Sequence, residues 1–246
     1  MPSYLITGCS RGLGLELTRQ LISTNEDATI FASARSSDGP GLRKLLETYP
    51  ERIIYVHLDV TDRKSIEEAV EFITAKLDGK GLDVLINNAG FMYPIQSVLD
   101  METEQLEDTF RINVSSVHNL TKAVLPLMRK GEVKKILNMS SSSGSIAKEF
   151  DNSTVLVPPY SISKTGLNML TVAYARELEK EGFTIFSVNP GWVKTDLGSQ
   201  HADLSVETSI SALLDILHRT GKEGNARFLN VYIPGWDKYA GGELPW

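Results

Sequence analysis

The chain has 246 residues, 41% of them hydrophobic and 23% charged, and carries a net charge of −6. This is ordinary globular composition with chain enough for a sizeable α/β core, and its acidic balance gives neither nucleic acid nor an anionic membrane a footing. A single cysteine, Cys9, excludes an internal disulfide, and no apolar run is long enough to suggest a membrane span.

The opening "MPSYLITG" enters a strand-like run with no basic or apolar leader region, so a cytoplasmic protein is expected. In chain order, strands are expected at 4–7, 29–34, 53–58, 83–87, 134–139, 184–189 and 228–233. Helices are expected at 13–23, 65–77, 103–128, from "PPYSISKTGLNML" at 158–170 onward, and at 206–218. In the second of these, Ile66, Ala69, Val70, Ile73 and Leu77 share one face with charges opposite. Ser65 and Glu68 there have the spacing of a capping box. Buried-type strands without clean alternation, separated by helices, imply a mostly parallel sheet covered on both faces. Right-handed crossovers make it a doubly wound α/β fold, whose ligands bind beyond the carboxyl ends of the strands. No linker divides the chain, so 1–246 is expected as a single domain.

After the first strand comes "TGCSRGLG", with Gly8, Gly12 and Gly14 between strand and helix. Such glycines allow a tight turn and close approach of backbone to a pyrophosphate, and the helix start offers free N–H groups. A plain turn with chance glycines reads the same. An NAD site usually shows an acid about 20 residues further on. Here that place holds Ala34, followed by Arg35. Arg35 and Arg11 suit a 2′-phosphate geometrically, so NADP(H) is the expected cofactor. The later strands end in Asp59 and Val60, in "NNAG" at 87–90, in "NMSSSSG" at 138–144 and in "NPGWVKTD" at 189–196. Small and polar residues at every one of these ends mark a site edge, although Asn87 reads equally well as a structural side chain.

Tyr160 and Lys164 lie one helical turn apart, just after Pro159, which suits a first turn. A cation about 4 Å from a phenol is worth roughly 4 kcal/mol at an effective dielectric of 20, enough to bring a tyrosine from about 10 to about 7. The spacing therefore predicts a general acid tuned by its lysine.

These pieces, in this order, resemble the short-chain dehydrogenase/reductase family: "TGCSRGLG", "DV" at 59–60, "NNAG", Asn113, the serine run, "YSISK" and "NPGWVKTD". Within it, "LITGCSRGLGLEL", "ILNMSSSSGSI" and the tail "GGELPW" look like the sniffer-type carbonyl reductases and their fungal and bacterial relatives. The resemblance implies a Rossmann-type fold with about seven strands in the order 3-2-1-4-5-6-7. It implies NADPH-dependent reduction of a ketone, aldehyde or quinone, with Tyr160 as proton donor, Lys164 lowering its pKa and holding the nicotinamide ribose, and Ser141 polarising the carbonyl. The serine assignment follows the family pattern N-x-S-S-x-x-G, met by Asn138, Ser140, Ser141 and Gly144, with Ser140, Ser142 and Ser143 as rivals. Asn113 would hold a water linked to Lys164. Residue by residue, Gly8, Ser10, Arg11, Gly12 and Leu13 would line the cofactor phosphates and ribose. Arg35 would meet the 2′-phosphate, Asp59 and Val60 the adenine, and Asn87, Ala89 and Gly90 the adenine-side ribose. Pro190, Val193 and Thr195 would meet the nicotinamide end.

Substrate contacts are expected from Phe91, Met92, Tyr93, Ser143, Phe150 and Trp192 and from a lid at 197–205, each of which reads equally as ordinary packing. Ser141 and Tyr160 stand 19 residues apart, wider than the family habit, and the extra residues in 146–159 are expected in a substrate-side loop. The four histidines show no metal-ligand spacing, so no metal is expected. The expected partner is a small carbonyl compound, and the expected assembly a homodimer or homotetramer. An NADP-dependent alcohol dehydrogenase, a secondary-metabolite ketoreductase and a non-enzymatic NADP(H)-binding redox sensor stay open at this point.

Overall fold

Leu5 and Ile6 are consecutive, and neither exposes any surface. Neighbouring side chains of a strand point to opposite faces, so both faces of the sheet must be covered. The structure, a computed structural model, describes residues 1–149 and 157–246. Its strands are β1 (Ser3–Thr7), β2 (Thr29–Ala34), β3 (Ile53–His57), β4 (Val84–Asn87), β5 (Lys135–Met139), β6 (Thr184–Asn189) and β7 (Phe228–Asn230). They form one seven-stranded sheet in the order β3-β2-β1-β4-β5-β6-β7, every pair parallel. The Rossmann-type arrangement expected from the sequence is the one observed.

Helices α1 (Gly12–Thr24), α2 (Pro40–Thr48) and α8 (Val206–Arg219) cover one face. Leu17, Leu21, Leu42, Ile210 and Leu213 pack there on Ile6, Ile30, Ile86, Leu137 and Phe186. Helices α3 (Arg63–Leu77), α5 (Ser116–Arg129) and α7 (Pro158–Leu178) cover the other, and a one-turn α6 (Ile146–Glu149) follows β5. There Ile66, Ile73, Leu120, Val124 and Ala175 meet Leu5, Phe31, Leu85, Ile136 and Ile185. Among the described residues no helix is long and apolar enough to cross a membrane.

Four local readings change. Helix α2 was not anticipated, although Pro40 opens it and Leu42 and Leu45 are its buried pair. Ser65 does not cap α3. Asp62 does, its carboxylate accepting the Lys64 N–H at 3.0 Å. Ser65 is buried inside the first turn, and its hydroxyl accepts the Asp59 N–H at 2.9 Å, tying the end of β3 to α3. The helix expected over 103–128 is α4 (Thr103–Phe110) and α5 joined by a π turn, Arg111–Ser115, with Asn113 at its centre. Strand β7 stops at Asn230, and Tyr232 instead makes an antiparallel bridge to Ala240.

A row of buried polar groups crosses the sheet beneath its carboxyl edge. Asn87 and Asn138 face each other in register, as do Asn138 and Ser187. Asn87 Nδ2 donates to Asn138 Oδ1 at 2.8 Å, and Asn138 Nδ2 donates to Thr171 Oγ1 at 2.8 Å. The Thr171 and Ser187 hydroxyls share a bond of 2.9 Å. Each group is nearly solvent-free and each has a partner, as burial of polar atoms requires.

Candidate active site

The carboxyl ends of β1 and β4 are stapled together by Thr7. Its hydroxyl accepts the N–H groups of Asn88 and Ala89, both at 2.9 Å, and Asn88 Nδ2 donates back to the Thr7 carbonyl at 2.7 Å. On this platform the glycine turn is packed to the limit. A Cβ on Gly14 would stand 2.3 Å from the Gly8 carbonyl oxygen and 2.6 Å from Asn88 Nδ2. Gly8 and Gly12 hold φ of +75° and +57°, values that favour glycine. Arg11 stands at the N-cap of α1 in an extended conformation and no side chain caps the helix. The amides at its start are thus left for an anion. Ser10, Gly12 and Leu13 are half-buried around this turn.

At the ends of β2 and β3, Arg35 is exposed and Asp59 half-buried. The Thr61 hydroxyl and amide, at 2.7 and 2.9 Å, hold the Asp59 carboxyl below the usual carboxylate range, with further help from Arg35 and Arg111. Val60 is half-buried beside them. Arg11, expected with Arg35 at the phosphate, is instead ion-paired with Asp196 at 3.0 Å, across to the loop after β6. The Asn87 side chain does not face the cleft. It is 3% exposed and spent on Asn138 and Thr121. Its neighbour Asn88, which sequence reasoning passed over, is the residue that fixes the glycine turn.

Tyr160, Lys164, Ser141, Asn113 and Gly90 converge. Pro158 and Pro159 begin α7, so Tyr160 lies in its first turn and Lys164 in the next. Lys164 Nζ donates to the Met139 carbonyl at the end of β5 at 2.7 Å and lies 5.4 Å from the centre of the Tyr160 ring. The position a Gly90 Cβ would take is 3.4 Å from Asn113 Oδ1 and 3.7 Å from Lys164 Nζ, so β4 ends against the pair. Asn113 exposes no surface. Its amide clasps the Phe91 backbone, accepting the N–H and donating to the carbonyl, both at 2.8 Å, and donates to Ser163 Oγ at 2.9 Å. Both amide hydrogens of Asn113 are therefore used, and the residue sits where a π turn disturbs the regular carbonyl pairing.

The serine run separates by facing. Ser140 is 2% exposed and donates to Asn168 Oδ1 at 2.7 Å, pointing into the interior. Ser141 is half-buried, lies beside the Tyr160 phenol, and accepts the Ser143 N–H at 3.2 Å. Ser142 is held by its amide to Asn189 Oδ1 at 3.1 Å. Ser143 is half-buried in the same turn.

The electrostatics differ from the expected tuning. Burial pushes the Tyr160 phenol up to about 12, against a smaller pull downward from Ser141. Burial also pushes Lys164 down to about 8. The ammonium is turned to the Met139 carbonyl and not to the phenol oxygen, so desolvation of both groups outweighs their attraction.

Among the residues expected to meet the substrate, Phe91 and Tyr93 pack edge to face at 4.8 Å, and Tyr93 donates to Asp108 of α4 at 3.2 Å. Met92 is half-buried between them. Phe150 lies outside the described residues. Trp192 is 38% exposed. Pro190 accepts the Ser209 hydroxyl at 2.7 Å, and Val193 is buried in a bridge to Leu204. The Thr195 methyl comes within 3.5 Å of where a Gly12 Cβ would sit, so this loop meets the glycine turn.

Residues 3–204 match the family model of the short chain dehydrogenases. A short-chain dehydrogenase/reductase, atnB, of an Arthrinium species is 34% identical over 205 residues, 80% of this chain and 76% of that protein. An NADPH-bound carbonyl reductase from chicken fatty liver superposes with a TM-score of 0.91 at 29% identity, covering 100% of this chain and 99% of its own. The carbonyl reductase Sniffer of D. melanogaster superposes with a TM-score of 0.90 at 30% identity, covering 100% of both chains.

Proposed function

The chain belongs to the short chain dehydrogenase family of oxidoreductases, and from that premise we propose that it is an NADPH-dependent carbonyl reductase acting on a small ketone, aldehyde or quinone. The observation that carries this reading is the meeting of Tyr160, Ser141 and Lys164 at one cleft edge, with an uncapped glycine turn at the other. The residues present fit a dinucleotide phosphate. The close-packed turn at Gly8 and Gly14 leaves room for backbone approach only, and Arg35 stands exposed where a 2′-phosphate would be met. Bound there, the reduced nicotinamide supplies the hydride.

The chain's own residues handle the proton. A phenol pushed up to about 12 is fully protonated at neutral pH, so Tyr160 rests in the form that reduction needs and oxidation does not. Tyr160 donates that proton to the carbonyl oxygen, a step favoured by the much greater basicity of an alkoxide. Ser141, beside the same phenol, orients the carbonyl. Lys164, near 8, is mostly charged at neutral pH and steadies the phenolate as it forms. The reading extends to one domain, a cytoplasmic setting and a homodimer or homotetramer, for which exposed Phe110, Ile162 and Met169 on α4 and α7 offer an apolar face.

The test is NADPH and NADH consumption with a panel of aromatic ketones, quinones and aldehydes, with Tyr160→Phe alongside. Turnover should favour NADPH and fall by at least about 100-fold in the variant, the loss of a general acid. Unchanged turnover in Tyr160→Phe would refute the proton-donor role.

A further inference from the structure

The turn after β6 is held from a distant part of the chain. Gly191 has φ +84°, and a Cβ there would meet Leu204 at 2.6 Å and the Tyr239 ring at 3.0 Å. Tyr239 comes from a 3₁₀ turn, Asp237–Tyr239, beyond β7, and is 1% exposed. Its hydroxyl accepts the Trp192 N–H at 3.0 Å and donates to Asp203 Oδ2 at 2.5 Å. Asp203 lies at the far end of the same loop. The loop closes on itself where the Leu204 N–H reaches the Trp192 carbonyl at 3.0 Å and the Lys194 N–H the Leu204 carbonyl at 2.9 Å. One phenol thus grips both ends of the loop that carries Trp192, Val193 and Thr195. Lys238 adds an ion pair to Asp203 at 2.8 Å and lies 5.6 Å from the centre of the Trp192 ring. Burial and the Asp203 charge raise the Tyr239 pKa well above the ordinary tyrosine value, so its proton stays in place for Asp203.

We infer that Tyr239 is a positioning residue of the site: its hydroxyl, bonded to Trp192 and Asp203, sets the turn that presents Trp192 to the substrate and Val193 to the nicotinamide end. The inference rests on the reductase reading for what those two residues meet. It does not follow from ring packing alone, which phenylalanine would supply. The hydroxyl is the atom at issue, since its loss leaves a buried N–H and a carboxylate short of a partner.

Tyr239→Phe and Asp203→Ala decide the matter. Calorimetry would give the Kd of NADPH and of adenosine 2′,5′-bisphosphate, which reaches the adenine end only, and steady-state kinetics would give kcat and KM for a carbonyl substrate. In both variants the NADPH Kd and the carbonyl KM should rise about tenfold, the effect of one lost buried hydrogen bond, with the bisphosphate Kd unchanged. Equal weakening of both ligands, or a lower unfolding midpoint with Kd and KM unchanged, would overturn the inference. Wild-type protein that binds both ligands but reduces no carbonyl sinks the reductase reading, while the pair of ligands still judges Tyr239. Wild-type protein that binds neither ligand overturns both.

Discussion

Replacing Lys164 by methionine separates the cost of the site from its use. Lys164 is 4% exposed, and its ammonium donates to the Met139 carbonyl at 2.7 Å. Burial brings its pKa from 10.5 down to about 8. The folded chain therefore releases this proton before the unfolded chain does. The cost of keeping the charge inside is full below pH 8, fades between 8 and 10.5, and is gone above 10.5. A drop of this size corresponds to about 3 kcal/mol at neutral pH. Methionine removes that cost and leaves the Met139 carbonyl unpaired, a penalty of about 1–3 kcal/mol that does not vary with pH. The stability of Lys164→Met relative to wild type should thus be about 2 kcal/mol more favourable at pH 7 than at pH 10. Urea unfolding of both proteins at the two pH values measures it. A difference that is flat in pH, or that grows toward pH 10, would refute the claim that burial dominates at Lys164. The same variant should lose carbonyl-dependent NADPH consumption at pH 7 even where it is the more stable protein.

Two more pairs of substitutions probe the cleft edges. Gly14→Ala puts a Cβ 2.3 Å from the Gly8 carbonyl oxygen, so overpacking of about 1–3 kcal/mol and weaker NADPH binding are expected. Gly12→Ala has its nearest neighbour at 3.5 Å and should cost only the left-handed alanine, about 1 kcal/mol. Equal unfolding midpoints for the two variants would contradict the packing described. Ser140→Ala should lower stability by about 1–2 kcal/mol through Asn168 while kcat stays near wild type. Ser141→Ala should lower kcat about 100-fold with stability kept. Kinetics and melting curves with these effects exchanged would move the carbonyl-orienting role to Ser140.

What the sequence showed directly was whatever depends on neighbours in the chain. The strands were legible because covering both faces makes nearly every position apolar, as at Leu5 and Ile6. Tyr160 and Lys164 were legible because one helical turn separates them. Helix α2 was missed because "GPG" at 39–41 reads as a loop, although Pro40 begins it. The π turn was missed because "FRINVSS" is too short and too mixed in polarity for the phase shift of about 100° from one extra residue to show. Which serine of 140–143 points outward depends on Asn168 and Asn189, both remote in sequence. Tyr239 and Asp203 were invisible for the same reason. The tuning of Tyr160 was misjudged because a bare charge–phenol distance leaves out burial, which in the fold acts on both groups at once.

The Asn87–Asn138–Thr171–Ser187 row bears on how this scaffold tolerates change. Apolar contacts have no direction, and α7 resting on Ile136 and Ile185 alone would be free to settle a little up or down the sheet. Thr171 removes that freedom, because a slide of α7 would leave buried amides facing nothing. The row works as a keyway, and Tyr160, eleven residues away on the same rigid rod, takes its height from it. Substitutions along the outer lip of the cleft can then change its shape while Tyr160 stays indexed to the strands. A mutation at Thr171, buried beneath the sheet edge, would be felt as a lost position of Tyr160 before it was felt elsewhere in the cleft.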